Sequence, residues 1–288
     1  MDISIMTVSI PIDRETLEEI QVLVYEASKE DQISYGPLLS MNELNDSFIK
    51  GFCVLAYDDE EDKLVGVVSS VDRIATLDFE WSAVVLPRAR RKGIGEQLLK
   101  ELTKNLELRG AATDLALVPK TSVAGHQLVK KYDYAHDFSE ITMVANAEET
   151  SISSNLTITS YATEELELIK VLTSAFGDTP EEARELITFN TETPNRRLMI
   201  ASLENEVVGT VTLVEDSDKL YVTGLAVHEN ARGKGVATSL LNWCKNEAYR
   251  LGKTKVYLEV ETENEQALSI YNKAGFQTSD YIYFYQRE

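Results

Sequence analysis

The sequence of residues 225–237 is LAVHENARGKGVA, an apolar segment that runs into a basic, glycine-rich turn. The apolar residues after the turn, Val236, Leu240 and Cys244, recur at helical spacing, so a helix is predicted to begin directly after Gly235. The first N–H groups of a helix have no intrahelical partner and lie at the positive end of its dipole, and glycine lets a ligand approach the backbone closely. The stretch therefore predicts an anion site suited to phosphate.

A second copy of this turn occurs earlier in the chain, as RRKGIG at residues 90–95. The two copies stand a constant 142 positions apart (232 − 90 = 142), and the same spacing relates further landmarks: Gly93 and Gly235, Gly95 and Ala237, and Tyr134 and Phe276. One spacing that holds over several landmarks indicates a duplicated domain.

Strand and helix patterns alternate in the same order in both halves, which predicts an α/β fold with a mixed sheet and helices on its faces. In the first half, strands are predicted at 7–12, 52–57, 64–71, 75–86, 114–118 and 140–144, and helices at 14–31, 42–50, 96–107 and 123–132. In the second half, strands are predicted at 156–159, 197–203, 207–214, 219–227, 254–260 and 281–285, and helices at 164–175, 180–189, 236–244 and 265–273. The polar, aperiodic stretch between the halves predicts domains at 1–146 and 156–288 joined by a linker at 147–155.

Composition narrows the possible function classes. The 288 residues carry a formal net charge of −20, which argues against a nucleic-acid or anionic-membrane surface, because binding to phosphate backbones needs a basic face. The cysteines, Cys53 and Cys244, lie in apolar segments without metal-ligand spacing, so both are predicted to be free and buried, and no metal site is expected. No signal peptide or membrane-spanning run is evident, and we expect a cytoplasmic protein.

The turn at 232–237 resembles the R-x-x-G-x-G/A pyrophosphate loop of the GNAT acyltransferases, and it follows a strand, as in that family. Downstream, the order of Leu258-Glu259-Val260, Asn264, Ala267, Tyr271, Gly275 and Phe276 is similar to the second conserved segment of the family. The C-terminal copy is similar to ribosomal-protein alanine acetyltransferases, and the tandem layout resembles mycothiol synthases. In the first half only the loop matches well.

The resemblance implies two tandem GNAT-like domains that use acetyl-CoA to acetylate a small-molecule or peptide amine. It implies that the cofactor would contact Leu225, Ala226, Val227, Arg232, Gly233, Lys234, Gly235, Val236, Ala237 and Asn264, and in the first half Val85, Arg90, Arg91, Lys92, Gly93, Ile94 and Gly95. Tyr271 matches the general acid, with a core tyrosine as the alternative. Glu259 is the candidate base and Glu261 the fallback, with an outward-facing strand residue as the alternative for Glu259.

The first half departs from the family pattern at the positions that carry chemistry. Val129 stands where Tyr271 stands, and Leu117 where Glu259 stands. Catalysis is therefore expected in the second half, while the first half either binds coenzyme A without turnover or only shapes the substrate cleft. A non-catalytic acyl-CoA-binding module is the alternative for the whole chain. The acceptor amine and the oligomeric state, monomer or homodimer, stay open.

Overall fold

The computed structural model describes residues 2–35, 38–73, 75–152, 155–216 and 218–287. The chain forms two compact units, one comprising Met1–Glu140 together with Asp280–Glu288 and the other comprising Ile141–Ser279. Each unit is a mixed β-sheet with helices packed on it.

The first unit contains strands β1 (Ile3–Ser9), β2 (Lys50–Asp58), β3 (Lys63–Asp72), β4 (Asp78–Val85), β5 (Thr113–Pro119) and the start of β6 (Tyr134–Asn146). Its helices are α1 (Arg14–Asp31), α2 (Met41–Leu44), α3 (Ile94–Arg109) and α4 (Val123–Lys131). Almost every residue of β3 is buried, as is typical of a central strand that is covered on both faces. The core joins apolar residues of α1 and α3 to those of the sheet.

The second unit contains the end of β6 and strands β7 (Leu156–Ser160), β8 (Arg196–Leu203), β9 (Glu206–Asp216), β10 (Lys219–Val227) and β11 (Lys255–Glu261). Its helices are α5 (Glu165–Phe176), α6 (Pro180–Glu192), α7 (Val236–Arg250) and α8 (Glu265–Lys273). The last strand, β12 (Gln277–Arg287), begins in this unit and ends in the first.

The end of β12 completes the sheet of the first unit. Ile282 to Gln286 pair antiparallel with Pro119 to Leu115 of β5, and the ring of Phe284 stacks on that of Phe138 with centroids 4.3 Å apart. Conversely, Ile141–Asn146 of β6 belongs to the second unit, where β6 neighbours β11. The compact units thus depart from the predicted ranges 1–146 and 156–288 in two places, because residues 141–155 belong to the second unit and residues 280–288 to the first.

Most predicted elements are present, and the clearest error is the helix predicted at 42–50. The helix there ends at Leu44, because the Asp46 carboxylate accepts a hydrogen bond from the N–H of Phe48 (2.8 Å) and so turns the chain, and β2 begins at Lys50. The strand predicted at 75–86 begins only at Asp78. The final strands of both halves are longer than predicted.

The predicted linker, 147–155, has no helix or strand in its described residues, but it is bonded to the second unit. The N–H of Ala147 donates to the carbonyl of Thr254 (2.9 Å), and the carboxylate of Glu148 accepts from the buried Nζ of Lys245 (2.9 Å). These contacts fix the start of the segment. Cys53 and Cys244 are free and buried, as predicted.

Candidate functional site: a glycine cradle and an adjoining cavity

The predicted anion loop in the second unit forms a concave turn at the start of α7. A short 3₁₀ turn, Glu229–Ala231, precedes the loop, and Gly233 and Gly235 both adopt left-handed backbone conformations, with φ of +76° and +77°. Gly235 is the N-cap of α7, and no atom lies within 4 Å of the position that a Cβ would occupy on either glycine. The N–H groups of Arg232 and Lys234 donate to the carbonyls of Glu229 (3.1 Å) and Ala231 (3.4 Å), and the open space beside the two glycines lies at the positive end of the helix dipole, where an anion is favoured.

The two strands beside the loop diverge where the cavity begins. β10 and β11 are paired in parallel from Leu220 with Val256 to Val222 with Leu258, although β10 continues to Val227. Against β9, the register of β10 shifts between Thr223 and Ala226. The last residues of β10 are thus released from β11, so their backbone groups on that side are available to a ligand.

A cavity of about 430 Å³ lies between the loop, the end of β10 and α8. It brings together most of the predicted residues of the second half: Leu225, Ala226, Val227, Arg232, Gly233, Gly235, Val236, Ala237, Asn264 and Tyr271. Lys234 and Glu259 are not among its lining residues. The cavity also has lining residues that the sequence did not single out, among them Phe176, Ile270 and Lys273.

Tyr271 lies on α8 and lines this cavity. Burial raises the pKa of its hydroxyl above the ordinary value of 10.0, since the phenolate would lose solvation. The hydroxyl consequently stays protonated at neutral pH. A protonated tyrosine hydroxyl can serve as a proton donor.

Glu259 lies on β11 just beyond the point where β10 and β11 separate, and its side chain is exposed. The buried residues of β11 are Val256, Leu258 and Val260, so Glu259 faces the opposite side of the sheet from them. Glu261, the fallback base, lies on the same side and is also exposed.

Asn264 is the N-cap of α8, and its side-chain oxygen accepts a hydrogen bond from the N–H of Ala267 (3.0 Å). Ser122 caps α4 in the same way, through the N–H of Gly125 (3.3 Å). Because these residues are 142 positions apart (264 − 122 = 142), this capping role is common to both copies. A structural role for Asn264 is therefore established.

The C-terminal end of α5 fixes the loop from outside. The Ser174 carbonyl accepts from Nη2 of Arg232 (3.3 Å), and the Ser174 hydroxyl accepts from the N–H of Glu229 (3.1 Å). Phe176, two residues further on, is 48% exposed and lines the cavity. No pattern in the sequence indicates this contact, because Ser174 is far from the loop along the chain and lies in an ordinary helical segment.

The first unit repeats the loop geometry around its own cavity of about 560 Å³. Arg91 and Gly93 have φ of +61° and +82°, matching Gly233 and Gly235, and α3 begins directly after Gly93. Of the predicted residues, the lining includes Val85, Arg90, Arg91, Gly93, Ile94 and Gly95 but not Lys92. Val129 and Leu117, which replace the acid and the base, also line this cavity.

Arg90 is engaged within the protein, whereas its counterpart Arg232 is exposed. The Arg90 guanidinium forms a bidentate pair with the carboxylate of Asp31, with Nη1 to Oδ1 at 2.8 Å, and its Nε donates to the carbonyl of Val85 (2.9 Å). The Tyr35 hydroxyl also donates to Asp31 (2.9 Å), and burial together with this carboxylate raises the pKa of Tyr35 to about 12. The charge of Arg90 is thus largely neutralised.

Glu80 of β4 is held in an ion-pair network. Arg73 pairs with Glu80 and donates from Nε to Glu43 at 2.7 Å. This ion-pair geometry favours a structural role for Glu80.

The described residues contain no group of side chains that could hold a metal ion. None of the helices in the described part of the chain is long and apolar enough to cross a membrane.

Each unit thus has a loop with positive φ angles at a helix N-terminus, beside a strand, β4 or β10, that continues beyond its pairing with the parallel neighbour. A sequence profile of the acetyltransferase (GNAT) family matches residues 17–134 and 164–276, so the chain belongs to the GNAT acetyltransferase family and carries two copies of its domain.

Solved structures agree with this fold. The chain is similar to a GCN5-related N-acetyltransferase from Sphaerobacter thermophilus, with a TM-score of 0.77 at 18% identity, covering 99% of this chain and 95% of that one. It is also similar to a tandem GNAT protein from the clavulanic acid biosynthesis pathway (TM-score 0.72, 14% identity, 99% and 98% covered). A GNAT-family acetyltransferase from Colwellia psychrerythraea gives a TM-score of 0.60 at 13% identity, with 99% and 100% covered.

Proposed function

We propose that the chain is an acetyl-CoA-dependent N-acetyltransferase that acetylates a primary amine in its second unit. The observation that carries this proposal is the cavity lined by the glycine cradle, the free end of β10 and the hydroxyl-bearing Tyr271. Family membership supports an acyltransferase, and these residues supply what the transfer of an acetyl group to an amine needs.

The residues present fit coenzyme A. Gly233 and Gly235 form a cradle that any Cβ would begin to fill, and Arg232 adds positive charge beside it. Bound there, acetyl-CoA would supply an acetyl group activated as a thioester and a pyrophosphate for the cradle. The backbone of Leu225 to Val227 would hold the extended arm, because β11 no longer pairs with that part of β10.

Two side chains would move protons in this proposal. Tyr271 holds a proton at its Oη for the departing sulfur, and its raised pKa keeps that proton in place at neutral pH. Glu259 would accept a proton from the incoming ammonium, directly or through water. Its exposure and its place beyond the separation of the strands support access to an amine.

The first unit has the cradle without these groups, which supports a non-catalytic role for it. The alternative function for the whole chain is an acyl-CoA-binding module without turnover. The absence of an acid and a base from the equivalent positions of the first unit is the observation that favours it.

Thiol release from acetyl-CoA over a panel of amines tests the proposal. We expect turnover with at least one amine, and we expect Tyr271→Phe to lower kcat by about 10²-fold while coenzyme A still binds, because loss of a positioned acid typically has that effect. Tyr249→Phe, which removes the hydroxyl of an exposed tyrosine outside the cavity, is the matched control and should leave kcat unchanged. Tight coenzyme A binding without turnover on any amine would support the module instead.

A further inference from the structure

An aromatic pair lies on the same sheet face as Glu259. Tyr221 of β10 and Tyr257 of β11 are register partners, and their ring centroids are 5.4 Å apart. Their strand neighbours Leu220, Val222, Val256 and Leu258 are buried, so the two rings project from the other face. Glu259 follows Tyr257 by two residues and therefore shares this face.

This pair already holds an ammonium group. Nζ of Lys219 lies 5.3 Å from the centroid of the Tyr257 ring and 5.9 Å from that of the Tyr221 ring. Both distances are within the range in which a cation is attracted by the ring quadrupole. Lys219 begins β10 and reaches the rings from the strand end, so its ammonium is a resident occupant that another cation could replace.

The spacing sets the length of the ligand. Residues 257 and 259 are about 7 Å apart along β11, because two residues of a strand span that distance. A cation on the ring pair would therefore lie about 7 Å along the strand from Glu259. That is roughly the span of an aliphatic chain of four or five carbons. In the first unit, Leu115 and Leu117 occupy the positions of Tyr257 and Glu259, so both features are confined to the second unit.

From this juxtaposition we propose that the acceptor is an aliphatic amine with a second cationic group, which the Tyr221–Tyr257 pair binds while the reacting amine lies at Glu259. The inference rests on the proposed function. The transfer forms a bond between the amine nitrogen and the acetyl carbon and breaks the bond from that carbon to sulfur. Glu259 takes the proton from the nitrogen, and Tyr271 gives a proton to the sulfur.

The test uses the full chain with 1,4-diaminobutane and 1,5-diaminopentane, each compared with the monoamine of equal length. Calorimetry measures binding, and thiol release from acetyl-CoA measures turnover. We expect Tyr257→Leu to raise the Kd and KM for the diamines about three- to tenfold, as for loss of a cation–π contact, with no change in the KM for acetyl-CoA. Lys219→Met should have the opposite effect and lower the Kd for the diamines, because it removes the competing ammonium.

Tyr249→Leu is the matched control, since Tyr249 is an exposed tyrosine on α7, and it should change none of these constants. Preferential diamine binding that depends on Tyr257, without thiol release, would support the cation site while refuting the proposed activity. Equal binding of diamines and monoamines would overturn the inference even if acetyl transfer occurs. If Tyr257→Leu does not fold, Lys219→Met becomes the deciding variant. An unchanged Kd for the diamines in Lys219→Met would then overturn the inference.

Discussion

Phe284 lies near the end of the chain, in the segment Asp280–Glu288 that belongs to the first unit, and its side chain is buried. It is 4% exposed and stacks on Phe138 with an angle of 12° between the ring planes. Truncating a buried phenylalanine to alanine typically costs about 3–5 kcal/mol. Since a domain is usually stable by only about 5–15 kcal/mol, Phe284→Ala should remove a large part of the stability of the first unit.

The loss of stability can be measured separately for each unit, because each contains one of the two tryptophans. Trp81 lies in the first unit and Trp243 in the second. In a Trp243→Phe background, urea unfolding followed by Trp81 fluorescence should show a lower midpoint when Phe284→Ala is added. In a Trp81→Phe background, Trp243 fluorescence reports on the second unit. There, adding Phe284→Ala should change the free energy of unfolding by less than about 0.5 kcal/mol, as for a substitution outside the unit.

Phe276→Ala provides the matched control, because Phe276 is 1% exposed and lies in the second unit. This substitution should lower the urea midpoint reported by Trp243 and leave the midpoint reported by Trp81 unchanged. The opposite result would refute the reasoning: Phe284→Ala would lower the urea midpoint reported by Trp243 and leave that reported by Trp81 unchanged. The end of β12 would then stabilise the second unit and not the first.

Two further predictions concern Asp31 and Asn264. The pKa of Asp31 is lowered from 3.8, mainly by the hydrogen bond from Arg90. The pair therefore stabilises the first unit above pH 3.8, and this stabilisation is lost as the pH falls through the lower pKa of the folded state. Asp31→Asn should cost about 1–3 kcal/mol at neutral pH and flatten the acid dependence of the urea midpoint, and an unchanged midpoint at neutral pH would contradict a stabilising pair. Asn264→Ala should destabilise the second unit by about 1 kcal/mol through loss of the α8 cap, whereas Asn264→Ser should restore it, as measured by urea unfolding. If Asn264→Ser keeps the stability but loses coenzyme A affinity in a titration, Asn264 has a ligand role beyond the cap.

The loops were predictable because their information is local. The glycines at 233 and 235 and the apolar spacing after them predict a turn followed by a helix, and the structure has both. The repeat at 142 positions predicts the same turn at residues 90–95, whereas the positive φ of Arg91, the counterpart of Gly233, was not predicted, because no local rule suggests it.

Long-range pairing was not predictable in the same way. Nothing in the sequence of 281–285 says that this strand pairs with β5, because alternation of apolar residues specifies a strand but not its neighbour. The Ser174 contacts to the loop and the Asp31–Arg90 pair likewise depend on tertiary placement. For the same reason the roles of Tyr271 and Glu259 stay predictions that kinetics must test.

The most direct test of the central claim compares Gly235→Asp with Gly93→Asp. The two glycines occupy equivalent positions, both with positive φ and open space before them, so each substitution puts a carboxylate into one cradle at similar backbone strain. The measurement is thiol release from acetyl-CoA in the presence of an accepted amine. We predict that Gly235→Asp abolishes release and that Gly93→Asp leaves kcat intact, whereas loss of release in Gly93→Asp with normal release in Gly235→Asp would place catalysis in the first unit and contradict the account.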